Sequence, residues 1–369
     1  MRRPVSALGL VILVIGFCPI GRGTSAAGNR GQRPAETPAA TPSVAELQVA
    51  FEGGRYQDVA QLGPDVLARV ERDHGADSLE VAAVIDLLVQ SLDKAGKSGE
   101  PATKSLAERG VAIREKRLGP EDPLVAASLN SYGNILVYSA QFDLGKQVLE
   151  RALAIREKAL GRETPEVAFT LVSLGVVHAR TDNLDTAGLF WDRALAIRRK
   201  VYGPDDKRVA QVLGNLALLA MTRGDPRHAV ELAEETLRIQ EKTYGSGHPE
   251  VANTLNNLGL MHERLRQFDI ARSLHERALA IQRAALPAGH PAIAGSLENL
   301  GVVLDESGEP IGAITAWKEA AEIVEKAFGP EHPQLGELLN NLGIAQLELG
   351  DLDQARAYYE RSLAIAETT

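Results

Sequence analysis

Histidine is the first residue type in this chain that suggests chemistry, and three of the eight histidines are evenly spaced. His248, His290 and His332 recur every 42 residues, each directly before a proline. Imidazole is a common metal ligand, but one ion needs its ligands to converge at bonds of about 2 Å. Side chains a full repeat apart lie on successive structural units and do not converge. Earlier blocks place Asp122, Thr164 and Asp206 in the same column. Asp and Thr close the first turn of a helix with a side-chain acceptor, so the histidines are expected to cap helices. His275 falls in a column of packing residues and is expected in a core, while His74, His178, His228 and His262 have no supporting cluster. Lys94-Ala95-Gly96-Lys97-Ser98 has the tail of a phosphate-binding loop, but Ser91 stands where that loop needs glycine and no strand precedes it. A nucleophile elbow, an HExxH pair and a dinucleotide fingerprint are all missing. The expectation is therefore no catalytic residues, no metal and no cofactor.

Asparagine gives the strongest polar pattern. Two adjacent columns carry Asn130, Asn256 and Asn340, then Asn215, Asn257, Asn299 and Asn341. Val172, Gly214 and Glu298 interrupt the first column, and Ser131 and Ser173 open the second, so the pattern is densest from Asn215 to Asn341. Asn is a mediocre helix former, and its repeated use inside a helix needs a reason. Its amide offers both donor and acceptor. Such columns suit a ladder between neighbouring helices that sets their register, or a surface that holds the backbone of an extended chain.

The elements that carry these columns repeat without drift. Gly119, Gly161, Gly203, Gly245, Pro287 and Gly329 fall 42 residues apart. Gly133, Gly175, Ala217, Gly259, Gly301 and Gly343 do the same, as do the small residues Ala152, Ala194, Thr236, Ala278, Ala320 and Ser362. A fixed period of this size means stacked supersecondary units, none able to bury its apolar face alone. From Pro249, Val251, Leu255, Leu258 and Met261 recur at helical spacing. After a break at Gln267-Phe268, Ile270, Leu274, Ala278 and Ile281 mark a second helix. Gly224-Asp225-Pro226 and Gly308-Glu309-Pro310 punctuate the same break elsewhere. Glycine inside a helix costs about 1 kcal/mol relative to alanine, so the column from Gly133 to Gly343 marks close helix crossings. Twelve residues on comes a small partner (Gly145, Ala187, Ala229, Ala271, Ala313, Ala355). Four further on comes a residue that fills the gap (Leu149, Trp191, Ala233, His275, Trp317, Tyr359). Runs such as Arg156-Glu157-Lys158 and Gln240-Glu241-Lys242 read as solvated, ion-paired helix faces.

Leu-Gly, a small residue twelve positions later and a large one after four more resemble the tetratricopeptide repeat (TPR). HPEVANTLNNLG (248–259), RALAIREKALG (151–161) and EHPQLGELLNNLG (331–343) are similar to the 42-residue TPRs of kinesin light chains and their bacterial relatives. The resemblance implies an all-α TPR solenoid, a right-handed superhelix of antiparallel helix pairs. It covers six units over 119–369 and reaches loosely over degenerate TPR-like pairs at 43–118. It also implies that the first helices line a concave groove and that Asn at these positions contacts bound peptide. Asn130, Asn215, Asn256, Asn257, Asn299, Asn340 and Asn341 are then the candidate peptide-binding residues.

Hydrophobic residues make up 44% of the chain and aromatics only 4%, so packing must rest on aliphatic residues at close helix contacts. The net charge of −9 argues against nucleic acid, whose phosphates need clustered Lys and Arg. Arg2 and Arg3, the apolar stretch from Val5 to Ile20 and the small residues Ser25-Ala26-Ala27 read as an export signal over 1–27. An uncleaved anchor is the alternative, and Cys18 behind Phe17 makes a poor lipid-attachment site. Residues 28–42 read as a disordered linker rich in Pro, Ala, Thr and Gly. The expected protein is an exported (periplasmic or secreted), bacterial, non-catalytic scaffold. Its expected partner is a protein or peptide, with no membrane insertion once the signal is removed. The alternatives are the regulatory half of a divided enzyme whose catalytic partner is encoded separately, or a self-associating envelope assembly factor. An incompletely capped last helix would recruit a second copy as an end-to-end homodimer.

Overall fold

A computed structural model describes residues 42–368. The export signal expected over 1–27, and all of the 28–42 linker except Pro42, lie outside the described residues. Sixteen α-helices and no strand are found among the described residues, in two compact units that divide between Pro204 and Asp205. The first unit holds α1 (Val44–Glu52), α2 (Tyr56–His74), α3 (Leu79–Lys94), α4 (Pro101–Leu118), α5 (Pro123–Tyr138), α6 (Phe142–Leu160), α7 (Pro165–Arg180) and α8 (Leu184–Tyr202). The second holds α9 (Lys207–Thr222), α10 (Pro226–Tyr244), α11 (Pro249–Arg264), α12 (Phe268–Ala285), α13 (Pro291–Glu306), α14 (Pro310–Phe328), α15 (Pro333–Leu349) and α16 (Leu352–Thr368). Odd-numbered helices are the first members of antiparallel pairs and even-numbered helices the second. Within each unit a second helix also packs on the first helix of the next pair. First helices touch their successors directly, α3 on α5, α5 on α7 and α11 on α13, so theirs is the more closely spaced side of each stack.

The turns between pairs are set by the columns seen in the sequence. Gly119, Gly161, Gly203, Gly245 and Gly329 all hold φ between 83° and 95°, a region closed to side-chain-bearing residues. Proline cannot adopt positive φ. At Pro287 the chain instead ends α12 one residue early, with Leu286 extended. Three residues after each turn glycine, an N-cap side chain starts the next helix. Asp122, Thr164 and Asp206 accept from main-chain N–H groups two or three positions further on. His248, His290 and His332 do the same through Nδ1, at 3.2, 3.1 and 3.3 Å. Tyr244 and Phe328 stack on His248 and His332 at 4.7 and 4.5 Å between ring centroids.

A capping imidazole must be neutral, because a protonated Nδ1 cannot accept. Burial lowers the His290 pKa in the folded protein. The unfolded chain therefore binds the proton more tightly, and stability rises with pH. The contribution of His290 is complete above the ordinary histidine pKa of about 6.5 and is lost as pH falls below it. His290→Asp keeps a cap that works at both pH values, so urea unfolding of that variant should lose less stability between pH 7.5 and pH 5 than the wild type. Equal losses would show that the cap does not titrate with folding.

Five of the six pairs from α5 to α16 are closed by a glycine facing a large side chain. A methyl at Gly133 would lie 2.6 Å from Leu149 Cγ, and at Gly343 it would lie 2.8 Å from Tyr359 Cε1. At Gly175 and Gly301 it would lie 2.6 Å from Cε2 of Trp191 and Trp317. The indole N–H groups of those tryptophans donate to the main-chain carbonyls of Val172 and Glu298, at 3.2 and 3.1 Å. Ala217 is the exception that fits the rule, because its gap-filling residue is Ala233 and both are buried.

Between pairs, a polar ladder runs through the interior. Arg114, Arg156, Gln240 and Gln282 on second helices are at most 7% exposed. Each is bonded to a hydroxyl 14 residues later on the next first helix: Ser128, Thr170, Thr254 and Ser296, all at 2.6 Å. At the last such joint, the buried pair Val324 and Leu338 takes over. This corrects the reading of Arg156 and Gln240 as members of a solvated charged face. Of their neighbours, Lys158 lies at the surface and pairs with Glu121 at 2.5 Å, while the half-buried Glu157 pairs with the half-buried Arg193 at 2.6 Å. An exposed pair such as Lys158–Glu121 contributes at most about 1 kcal/mol. Among the described residues no helix is long and apolar enough to cross a membrane.

Candidate functional site

The two asparagine columns have different surroundings. Asn130, wholly buried, donates from Nδ2 to Ser173 Oγ at 3.2 Å and accepts from Arg156 Nη1 at 3.4 Å. Asn256 donates from Nδ2 to Ser296 Oγ at 2.6 Å, and its Oδ1 lies 2.9 Å from His275 Nδ1. The other ring nitrogen of His275, itself wholly buried, faces Glu263 Oε1 at 2.9 Å. Asn130 and Asn256 thus each tie one first helix to the next, as a register ladder would. Asn340, the third member, is exposed and makes no side-chain hydrogen bond among the described residues.

Three members of the second column are free. Asn257 on α11, Asn299 on α13 and Asn341 on α15 are half-buried, and their amides have no hydrogen-bond partner among the described residues. Asn215 on α9 is 2% exposed, and its Oδ1 is buried without a partner. Adjacent columns are 100° apart around a helix, so one amide turns into the neighbouring helix and the next faces outward. One turn further along the same face stand Leu218, Leu260, Val302 and Ile344, half-buried except for Ile344, which is exposed. In the second unit α11, α13 and α15 therefore present a row of amides beside a row of aliphatic side chains, one of each on every helix, while the amide of α9 is buried. In the first unit the matching positions are Ser131 and Ser173 beside Asn134 and Val176. The aliphatic row escaped the sequence reading, although its spacing of three residues from the second Asn column was visible there.

Carboxylates flank the row on α13 and α15. Glu298, 9% exposed, accepts from Gln334 Nε2 at 3.0 Å. Burial raises its pKa, the Gln334 bond opposes the shift, and Glu337 nearby raises it further. Of the remaining histidines, His178 is buried against Phe190 at 5.4 Å between ring centroids, and burial lowers its pKa. His262 is buried with Nδ1 2.6 Å from Gln267 Oε1. Among the described residues no three His, Cys, Asp or Glu side chains are grouped to hold a metal ion.

Stacked antiparallel helix pairs, most of them closed by a small residue against a large one, place the chain in the α-solenoid class of interaction proteins. The chain belongs to the tetratricopeptide repeat family: one profile of that family matches residues 166–242, 229–284, 250–316 and 292–368, and a second matches 125–166. Among solved structures, it is similar to a point variant of a putative kinesin light chain from Podosopora anserina with nearly identical TPR-like repeats. The identity there is 25%, with 55% of this chain and 97% of that one covered at a TM-score of 0.50. BtubC (BKLC) from P. vanneervenii shares 21% identity over 64% of this chain and 91% of its own, at 0.51. In the Cut9–Hcn1 hetero-tetramer of the APC/C, the match is 15% identical and covers 81% of this chain and 48% of that one, at 0.58. No curated protein matches the sequence. Tetratricopeptide repeats mediate protein–protein interaction as a class, and that is the general role of this fold.

Proposed function

We propose that the first-helix face of the second unit binds an extended segment of another protein, and that the chain is an exported scaffold with no reaction of its own. The observation that carries this reading is the row of half-buried amides at Asn257, Asn299 and Asn341, which bond to nothing else among the described residues. A half-buried polar group without a partner costs part of the roughly 1–3 kcal/mol of a fully buried one. A bound backbone returns that energy, since each amide can give one hydrogen bond and take one. Leu260, Val302 and Ile344 provide the apolar contact beside it.

The test is a triple variant, Asn257→Ala with Asn299→Ala and Asn341→Ala. None of the three amides holds another helix, so the variant should keep the wild-type melting temperature within about 2 °C, as surface changes do. A partner captured on the wild-type chain and then titrated by calorimetry should bind the variant at least about tenfold more weakly, a loss of some 1.4 kcal/mol. Equal affinity would place the binding surface elsewhere. Export follows from the order of residues in 1–27. Mass spectrometry of the protein from its native host should find an amino terminus near Gly28, and an intact Met1 in membranes would instead show an anchor.

A further inference from the structure

Glu298 is a carboxylate in an unusual place. Its column otherwise holds Asn130, Val172, Gly214, Asn256 and Asn340. It is more than nine-tenths buried, its hydrogen-bond partner is the neutral amide of Gln334, and it has no ion pair among the described residues. In the first unit the matching position, Asn130, receives a guanidinium N–H from Arg156, 26 residues later. The residue 26 positions after Glu298 is Val324, so the fold supplies no cation there. Glu337 on α15 is exposed, close enough to act on Glu298 through its charge, and has neither a hydrogen bond nor an ion pair of its own among the described residues. Glu298 directly precedes Asn299, and Glu337 lies one helical turn before Asn341. Two carboxylates without cations thus stand beside two amides without partners.

Burying a carboxylate without a cation is costly, and a bidentate or charge-assisted bond to a ligand cation recovers that cost. We infer that the segment bound by this face is basic: a Lys or Arg side chain seats between Glu298 and Glu337, while its backbone meets the amides of Asn299 and Asn341. The inference rests on the groove reading above and adds the chemistry of the partner. An acidic segment is excluded from this seat by repulsion from both carboxylates.

A random dodecapeptide library displayed on phage, selected on the chain from residue 28 onward, tests it. Selected sequences should be enriched in Lys or Arg next to apolar residues. Synthetic copies should bind Glu298→Gln/Glu337→Gln at least about tenfold more weakly than wild type. Glu234→Gln/Glu322→Gln removes the same charge from exposed positions on α10 and α14 and should change affinity less than about twofold, since distant surface charges are screened. Equal losses in the two double variants would reduce the effect to the net charge of the chain and overturn the seat. So would enrichment in Asp and Glu, or unchanged binding to Glu298→Gln/Glu337→Gln. Peptides that lose affinity for Asn299→Ala/Asn341→Ala while ignoring the carboxylate variant would preserve the groove and refute only its basic specificity. Failure to select any binder would count against both.

Discussion

Gly301→Ala should destabilise the α13–α14 pair by about 1–3 kcal/mol although it adds a single methyl group. The new Cβ would sit 2.6 Å from Trp317 Cε2, and the indole cannot retreat without breaking its N–H bond to the Glu298 carbonyl. Trp317→Ala alone should cost about 3–5 kcal/mol, as large-to-small changes of a buried aromatic do. The double variant reproduces a combination that the chain already contains at Ala217 and Ala233. Its loss should fall short of the sum of the singles by about 1–3 kcal/mol, the coupling of residues in contact. Hydrogen exchange is the proper readout, because a repeat array loses protection locally. Protection should fall first in α13 and α14 and in the helices packed on them. Additive losses would show that the glycine and the tryptophan do not share one space.

Arg156→Ala should be the other severe change, although the residue sits in a run of charges that reads as surface. Its Nη1 donates to the Glu166 carbonyl at 2.8 Å, to Thr170 Oγ1 at 2.6 Å and to Asn130 Oδ1 at 3.4 Å, and its guanidinium lies 5.9 Å from the centre of the Phe169 ring. Burial lowers its pKa to about 10, which leaves it charged at neutral pH. Truncation strands the wholly buried Asn130 Oδ1 and removes a charge-assisted bond, for an expected loss of about 1.5–3 kcal/mol. Lys158→Ala, two residues away and exposed, removes a pair worth at most about 1 kcal/mol and serves as the comparison. Urea unfolding of the two variants should separate them clearly. A similar small loss in both would mean that the buried guanidinium is nearly cost-neutral.

The fold was legible because its signals are local and repeat: glycine at the turn, a cap three residues later, proline after the cap, and glycine 16 residues before the gap filler. The histidine caps were legible for the same reason, since Asp and Thr share their column. Burial of Arg156 and Gln240 was not. A run of three charged or polar residues spans 200° of a helix, so its members cannot share one environment, and composition alone does not say which turns inward. Ser128, Thr170, Thr254 and Ser296, each 14 residues after such a position, were the signal that would have found it. The asparagines posed the same difficulty. Their type gave both readings, a ladder and a ligand surface, and the 100° between columns distributes them, with Asn130 and Asn256 in the ladder and Asn257, Asn299 and Asn341 open.

The chain holds its shape with two kinds of pairing, and they differ in what happens when whole units are rearranged. A segment cut at the Gly161 and Gly203 turns carries Gly175 and Trp191 away together, because both lie inside one hairpin. The same cut separates Arg156 from Thr170, which straddle the turn. Duplicating, deleting or transplanting a block therefore leaves the hairpin self-consistent, while a new seam keeps its bond only where an Arg or Gln tail meets a Ser or Thr head. A Val324-type tail set before a Thr170-type head would bury a hydroxyl with no side-chain partner across the seam. The hairpins are interchangeable words, and the polar seams are the grammar that limits which of them can stand side by side.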